Sequence, residues 1–203
     1  MRISAGELKG RVVGLPQGSR ARPATGFAAE MAMNLFTPWR LAEGVFLDVC
    51  AGSGLMGFEA LSRGAPRAIF VESDERHAKA IIESALRFGV KERCWVLLRD
   101  ARRCAGKVEE VLAGWGGAEA GALISCAFID PPYIPGMAFD VLSSFWAACG
   151  RLGGASIFAP DALLILRTAD RSLPTPPGLR LLEARKAGNG SMWLFQPEVP
   201  LCP

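Results

Sequence analysis

The sequence predicts an α/β fold, built on a Rossmann-like, seven-stranded and mostly parallel sheet. Short apolar runs alternate with stretches of helical spacing, which is the pattern of buried strands joined by crossover helices. Acidic residues stand at or just beyond the ends of the first four runs, as Asp48, Glu72, Asp100 and Asp130. The last two runs are separated by Ala187-Gly-Asn-Gly-Ser191, which predicts an antiparallel C-terminal hairpin.

The chain ahead of the sheet is predicted to form a small basic extension. Residues 1–13 alternate loosely between glycines, which indicates a small N-terminal β-hairpin, and residues 15–23 have loop composition. A helix is expected over residues 27–36, with Thr25 as its N-cap and Pro38 beyond its end. We therefore divide the chain into an N-terminal hairpin and loop, residues 1–25, and a main domain, residues 26–203.

The main domain is predicted to alternate strands and helices. The strands are expected at residues 45–49, 67–71, 94–98, 123–129, 163–167, 179–185 and 192–196. A helix is expected to start at the end of residues 45–57 and to continue over residues 58–63, and further helices are expected at residues 74–88, 101–112 and 138–148. Because ligands of such folds bind in the crevice at the carboxyl ends of the strands, the four acids mark the expected site.

Two ligands compete for the loop Ala51-Gly52-Ser53-Gly54, which follows the first strand. Its glycines let the backbone approach a ligand closely, and together with Gly57 and Glu72 they match the pattern of a nicotinamide dinucleotide site. S-adenosylmethionine also has a ribose, but it carries an ammonium and a sulfonium in place of a pyrophosphate. Asp48 favours this cationic ligand, since a carboxylate binds an ammonium by charge-assisted hydrogen bonds. A glycine turn that binds nothing is the remaining alternative.

A second motif, Asp130-Pro131-Pro132-Tyr133, follows the fourth strand. The prolines stiffen the turn and leave the Pro131 carbonyl as an acceptor beside the Asp130 carboxylate. Two converging acceptors suit a flat ligand with an exocyclic amino group, and Tyr133 offers a face on which a base can stack. These four residues are therefore the predicted catalytic group, and a rigid turn with a core aromatic is the alternative.

The charge of the chain is concentrated at its start. The 203 residues carry a formal net charge of only +3, but residues 1–22 hold five cations against one acid, Glu7. This cluster predicts a polyanionic partner. The candidate contacts with a polyanion such as RNA are Lys9, Arg11, Arg20 and Arg22. A solvated N-terminus without a partner is the alternative, and charge alone favours it.

Composition disfavours several other classes of protein. With a single histidine, His77, and six cysteines that lack C-x-x-C spacing, neither a metal site nor an acyl-transfer triad is expected. The sequence shows no signal peptide and no apolar run long enough to span a membrane. We expect a cytoplasmic monomer that binds no membrane and no metal.

Several segments carry a family resemblance when they are taken in order. They are Met1–Arg11, Arg22-Pro23, Glu30 and Asn34, Ala51–Gly54, Glu59–Ala65, Glu72–Asp74, Asp100-Ala101 and Asp130–Tyr133. Over nearly its whole length the chain resembles the RsmD family of bacterial 16S rRNA guanine-N2 methyltransferases. The resemblance implies an S-adenosylmethionine-dependent methyltransferase fold that methylates the N2 amine of a guanine in small-subunit rRNA or in a ribosomal assembly intermediate.

The resemblance also implies roles for individual residues. It implies that the glycine loop lies along S-adenosylmethionine, that Glu72 binds its ribose, that Asp100 lies near its adenine and that Asp130–Tyr133 receives the target base. The residues expected at the cofactor are Asp48, Ala51, Gly52, Ser53, Gly54, Glu72, Ser73, Asp100, Ala101 and Asp130.

One departure from the family pattern keeps alternatives open. Gly26, Phe27 and Ala29 stand where the family has Asp, Arg and Arg, in a segment that in relatives closes over the cofactor and faces the RNA. The lost charges favour a catalytically weakened, RNA-binding assembly factor. An adenine-N6 or cytosine-N4 methyltransferase acting on DNA or RNA is a further alternative, although 203 residues leave no room for a separate DNA-recognition domain.

Overall fold

Helices cover both faces of one central sheet in the structure, a computed structural model that describes residues 1–16, 26–116, 122–149 and 157–198. The helices are α1 (Gly26–Leu35), α2 (Pro38–Ala42), α3 (Leu55–Ser62), α4 (Glu75–Phe88), α5 (Ala105–Gly114) and α6 (Met137–Cys149). The strands are β1 (Val45–Val49), β2 (Arg67–Glu72), β3 (Cys94–Leu98), β4 (Ile124–Ile129), β5 (Phe158–Thr168), β6 (Leu179–Ala187) and β7 (Gly190–Pro197). Short 3-10 helices at Lys91–Arg93 and Ala101–Arg103 flank β3.

The sheet has seven strands in the order β3-β2-β1-β4-β5-β7-β6. The first five strands in this order pair in parallel, and β7 is antiparallel to both β5 and β6. Strands β1 and β4 are buried along their whole length, as expected of strands that helices cover on both faces. The predicted fold class, including the C-terminal antiparallel hairpin, is confirmed.

Neighbouring residues of each central strand contribute to two apolar clusters, one on each face of the sheet. Phe46 of β1 packs with side chains of α1, α3 and α4, whereas Leu47 packs with side chains of α5 and α6. This division follows from the alternation of side chains along a strand. The first cluster also contains Ile3, Leu8 and Val13, so the N-terminal segment contributes to the core on that face.

Strand order creates a crevice between β1 and β4. The chain adds β2 and β3 on one side of β1, and then returns to add β4 and β5 on the other side. Such a reversal leaves a crevice at the carboxyl ends of the two strands. Asp48 is the fourth residue of β1, and Asp130 follows β4 with its amide donating to the Val49 carbonyl at 3.1 Å. The topology therefore brings these two acids to one crevice.

The predicted N-terminal β-hairpin is not confirmed. Residues 1–16 form turns with one isolated antiparallel bridge, between Arg2 and Val12. The segment instead docks on α3, where the amides of Glu7 and Leu8 donate to the carbonyl and the hydroxyl of Ser62, both at 2.9 Å. Of the glycines that suggested a hairpin, Gly6 permits this close docking, because a Cβ there would lie 1.7 Å from the Ser62 carbonyl oxygen.

Some predicted boundaries were wrong by several residues. Helix α3 begins at Leu55, within the stretch 45–57 where a helix start was predicted, whereas β5 begins at Phe158, five residues before the predicted start at residue 163. Helix α2 was not predicted, and it begins at Pro38 because a proline at the first helical position loses no helical hydrogen bond. The helix predicted from residue 101 is divided into a 3-10 helix and α5.

Candidate functional site

Asp48 is the buried acid at the centre of the site. Its side chain lies in β1 with 2% of the residue exposed, and its Oδ2 accepts a hydrogen bond from the Gly57 amide of α3 at 3.0 Å. Burial raises the pKa of Asp48 well above its ordinary value, the Gly57 hydrogen bond opposes the rise, and the charges of Asp130 and Glu72 add to it. The carboxylate is therefore placed where a cationic ligand would relieve its electrostatic cost.

The glycine loop turns sharply between β1 and α3. Cys50, Gly52 and Gly54 have φ angles of 60°, 56° and 77°, in the left-handed region that glycine adopts without strain. A Cβ on Gly52 would meet no atom within 4 Å, whereas one on Gly54 would lie 3.0 Å from the Ile81 side chain. A Cβ on Gly57 would lie 2.2 Å from the Phe70 ring. Close packing of α3 on the sheet therefore requires Gly57.

Glu72 organises the loop from the end of β2. Its Oε2 accepts the Gly52 amide at 2.7 Å, and its Oε1 accepts the amides of Ser73 and Asp74, both at 2.8 Å. His77 of α4 approaches the same carboxylate, with 4.0 Å between Nδ1 and Oε1. Glu72 thus ties the glycine loop to the turn after β2, while the residue also borders the cavity described below.

Asp100 is oriented differently from the other strand-end acids. Its carboxylate accepts the Arg102 amide at 2.9 Å and pairs with the Arg102 guanidinium. This pairing lowers the pKa of Asp100 to about 2. Its neighbours Arg99 and Ala101 line the cavity, and Asp100 is not among the lining residues.

Asp130 pairs with an arginine that the sequence analysis did not select. Arg167 lies in β5, next to β4, and its Nη1 is 2.7 Å from Asp130 Oδ2. The same guanidinium lies over the Tyr133 ring, 5.2 Å from the centroid. Burial raises the pKa of Asp130, and the Arg167 charge and hydrogen bond oppose the rise. The sequence shows that Arg167 ends one apolar run and that Asp130 follows another, but their pairing depends on β4 and β5 being neighbours in the sheet.

The carboxyl ends of the strands enclose a cavity of about 670 Å³, a volume typical of small-molecule sites. Most of the predicted cofactor and catalytic residues line it, namely Asp48, Ala51, Ser53, Glu72, Ser73, Ala101, Asp130, Pro131, Pro132 and Tyr133. Gly52 and Gly54 belong to the same loop but do not line it. The cavity is also lined by Met1, Leu15, His77, Arg99 and Arg167, none of which was predicted from the sequence to belong to the site.

The cavity has the chemistry to hold S-adenosylmethionine. Four carboxylates, Asp48, Glu72, Asp74 and Asp130, border a space whose exposed lining is mainly apolar, and Arg99 and Arg167 are the arginines among the lining residues. Acids suit an ammonium, a sulfonium and the hydroxyls of a ribose, and the apolar lining suits a purine. A pyrophosphate would meet these four acids unfavourably, so the residues fit S-adenosylmethionine better than a dinucleotide.

The predicted RNA-contacting residues are only partly described. Lys9 and Arg11 are exposed on the N-terminal segment, whereas Arg20 and Arg22 lie outside the described residues. Arg11 reaches α4, where its Nη1 donates to the Arg87 carbonyl at 3.2 Å and its guanidinium lies 5.7 Å from the centroid of the Phe88 ring. Within the described ranges no cluster of three metal-ligating side chains occurs, and no helix is long and apolar enough to cross a membrane.

The antiparallel strand β7 distinguishes this fold from the dinucleotide-binding fold, which has a similar glycine loop. The dinucleotide-binding sheet adds its sixth strand beside the fifth in parallel, whereas here β7 lies antiparallel between β5 and β6. This topology defines the class of S-adenosylmethionine-dependent methyltransferase folds. A family model described as "Conserved hypothetical protein 95" matches residues 1–196, and the chain belongs to this family.

Relatives and solved structures agree with this family. The chain is 28% identical over 200 residues to "Ribosomal RNA small subunit methyltransferase D" of Escherichia coli K12, covering 98% of this chain and 90% of the relative. It is 32% identical over 133 residues to "Putative rRNA methyltransferase YlbH" of Bacillus subtilis, covering 66% and 67%. The structure of "Putative methyltransferase yhhF" from Escherichia coli superposes with a TM-score of 0.72, 25% identity and 98% coverage of both chains. The predicted membership of the RsmD family is confirmed.

Proposed function

We propose that the chain transfers a methyl group from S-adenosylmethionine to the exocyclic N2 amine of a guanine in small-subunit rRNA, free or in a ribosomal assembly intermediate. The carrying observation is the cavity of about 670 Å³ that Asp48, Glu72 and Asp130 border, with Tyr133 37% exposed among its lining residues. Membership of a family whose relatives are named rRNA methyltransferases supports rRNA methylation. The choice of guanine N2 is the finer part of the proposal and rests on the resemblance and on the acceptors at Asp130 and Pro131.

The residues that would hold S-adenosylmethionine come from three strand ends. Asp48 attracts its ammonium group, Glu72 accepts from its ribose hydroxyls, and Ala51, Ser53 and Ala101 form the adjoining wall. When bound, S-adenosylmethionine supplies a methyl group on a positively charged sulfur, which makes the methyl carbon an electrophile. Glu72 already accepts three backbone amides, so its carboxylate is held in place before a ligand arrives.

The turn after β4 would orient the methyl-accepting amine. Asp130 and the Pro131 carbonyl accept its two hydrogens, which turns the nitrogen lone pair out of conjugation with the purine ring and towards the methyl donor. Tyr133 provides a stacking surface for a base taken out of its RNA helix. Asp130 must be ionised for this role, because a protonated carboxyl group donates at one of its two oxygens.

Two other functions remain as rivals, each with its own observation. Adenine N6 and cytosine N4 are also exocyclic amines, and the two acceptors would bind them in the same way. An RNA-binding assembly factor is favoured by the missing charges at Gly26, Phe27 and Ala29. Ala29 is 3% exposed and belongs to the apolar cluster on which α1 packs. The alanine therefore contributes to packing at a position where the family has a charged residue.

Nucleoside mass spectrometry of methylated RNA tests the proposal directly. The purified chain, with S-adenosylmethionine and either small-subunit rRNA or immature small-subunit particles, should produce N2-methylguanosine. Detection of N6-methyladenosine or N4-methylcytidine instead would assign the amine to another base. RNA binding without any methylated product, in a protein that binds S-adenosylhomocysteine, would favour the assembly factor.

The variant Asp130→Ala supplies the second arm of this test. We expect single-turnover methyl transfer to fall more than about tenfold, corresponding to a barrier change above about 1.4 kcal/mol. Affinity for S-adenosylhomocysteine, measured by calorimetry, should change little. A variant that retains more than a tenth of the rate would show that Asp130 does not align the amine.

A further inference from the structure

We propose that Arg167 is the positioning residue of this site: its guanidinium holds the Asp130 carboxylate and the Tyr133 ring in the arrangement that receives the base. The inference rests on the proposed function, because it assigns a role in orienting the methyl-accepting amine. Arg167 acts through the two residues it contacts and takes no part in bond making.

The contacts of Arg167 span both functional ends of the Asp130–Tyr133 turn. Its Nη1 donates to Asp130 Oδ2 at 2.7 Å, and its guanidinium carbon lies 5.2 Å from the centroid of the Tyr133 ring. The two side chains of the ion pair are 11% and 18% exposed. One rigid, planar group therefore fixes both the acceptor and the stacking surface.

Arg167 follows a buried apolar run of β5, where an apolar side chain would be expected if the position served only packing. The preceding residues of β5, from Leu163 to Leu166, are buried and apolar, and Arg167 itself is 9% exposed, with its Nε buried and unpartnered among the described residues. A buried ion pair generally contributes less stability than well-packed apolar residues of similar volume. The arrangement costs stability and places charge at the cavity, which is the expected signature of a functional ion pair.

Arg167 stabilises the charged form of Asp130 in a cavity that several other acids border. The titratable and charged groups that face the cavity are Asp48 of β1, Cys50 of the loop after it, Glu72 of β2, Asp74 and His77 at the start of α4, Arg99 after β3 and Tyr133 of the turn itself. Asp48 and Glu72 are carboxylates, so Arg167 is the cation that offsets their charge where it contacts Asp130. With Oδ2 engaged by Arg167, Oδ1 is the oxygen that would accept the amine hydrogen.

Replacement of Arg167 by glutamine should separate charge from hydrogen bonding. Arg167→Gln keeps a donor but removes the charge, so Asp130 should be protonated at a higher pH. In a plot of the single-turnover rate against pH, we expect the acid limb to move to higher pH. The rate near neutral pH should fall about tenfold or more. Arg167→Lys, which keeps the charge without the planar fork, should restore the acid limb and only part of the rate.

The controls exploit another arginine in the same sheet. Arg185 pairs with Glu183 on the exposed face of β6, and Arg185→Gln should leave both the rate and its pH profile unchanged. Affinity for S-adenosylhomocysteine should be unaffected in Arg167→Gln, which separates positioning of the base from binding of the methyl donor. Thermal unfolding of each variant identifies any loss of rate that results from unfolding.

A carboxylate titration followed by carbon NMR gives a readout that needs no activity. Arg167→Gln should raise the pKa of Asp130 relative to the wild-type chain. An unchanged Asp130 titration would overturn the proposal, as would a raised pKa with an unaltered acid limb of the rate. If the wild-type chain transfers no methyl group at all, the proposed function fails, and the titration still reports whether Arg167 holds the carboxylate.

Discussion

Asp48 lies buried in β1, where its carboxylate accepts the Gly57 amide and repels the charges of Asp130 and Glu72. Because its pKa is higher in the folded chain than in the unfolded chain, the folded state binds a proton there more tightly. The stability that this tighter proton binding contributes is present at low pH and is lost as the pH rises through the folded-state pKa of Asp48. Above the ordinary carboxyl pKa, burial of Asp48 therefore destabilises the protein without its ligand, while the charged form of Asp48 favours a cationic ligand.

The variant Asp48→Asn tests whether Asp48 lowers the stability of the protein while it favours a cationic ligand. It keeps an acceptor for the Gly57 amide but removes the charge, so Tm should rise at neutral pH, by roughly 2–4 °C for each kcal/mol gained. The gain should shrink as the pH falls towards the ordinary carboxyl pKa, because the cost of burying Asp48 decreases with falling pH. Affinity for S-adenosylmethionine should fall, as calorimetry would measure. Exposed Asp140 of α6 provides the matched control, since Asp140→Asn should change neither quantity. A lower Tm for Asp48→Asn at neutral pH would contradict the assignment.

Glu72 combines a structural role with a binding role in one side chain. Its two oxygens accept the amides of Gly52, Ser73 and Asp74, and hydrogen bonds to a charged group contribute about 1.5–3 kcal/mol each. Glu72→Gln should therefore lower Tm and also weaken S-adenosylhomocysteine binding by about tenfold or more. Glu75→Gln, at an exposed ion pair with Lys79, should do neither. Unchanged ligand affinity in Glu72→Gln would remove Glu72 from the cofactor site.

The N-terminal segment provides a prediction at the level of elements. Gly6 has a φ of +81°, and a Cβ there would lie 1.7 Å from the Ser62 carbonyl oxygen of α3. Gly10 has a nearly identical φ of +83°, but a Cβ there would meet no atom within 4 Å. Gly10→Ala should cost about 1–2 kcal/mol for the left-handed backbone, and Gly6→Ala should cost distinctly more because the segment must also move away from α3. Denaturant unfolding of the two variants measures the difference. Equal losses would mean that the segment is not docked as described.

The same elements show how far the sequence could predict the site. The succession of strands and helices along the chain, the glycine loop and the acids at strand ends follow from local patterns of apolar residues, glycine and charge. Of the four predicted strand-end acids, Asp48, Glu72 and Asp130 line the observed cavity and Asp100 does not. Local patterns could not separate the roles of the glycines, because Gly57 is required by the Phe70 ring of a different element. They also could not select Arg167, since its pairing with Asp130 depends on β4 and β5 being neighbours in the sheet.

At the scale of the whole molecule, the N-terminal segment that carries Lys9 and Arg11 also contributes apolar residues to the folded core. Ile3, Leu8 and Val13 are buried beside α3 and α4, so deleting residues 1–22 would disturb packing as well as charge. Lys9 and Arg11 project from this docked segment and are exposed. Point substitutions therefore test RNA binding more cleanly than a truncation, because they change charge while the buried residues stay in place.

We expect the variants Lys9→Gln, Arg11→Gln, Arg20→Gln and Arg22→Gln to weaken binding of small-subunit rRNA without affecting S-adenosylhomocysteine affinity. Each phosphate contact that is lost should flatten the slope of log affinity against log salt concentration by about 0.7–0.9, because fewer counterions are released on binding. Lys107→Gln is the matched control, since Lys107 is an exposed α5 cation paired with Glu110, and its slope should equal that of the wild-type chain. Filter binding at several salt concentrations measures the slopes. If the four variants keep the wild-type affinity and slope, the N-terminal cations are solvated side chains, and RNA binds through another surface.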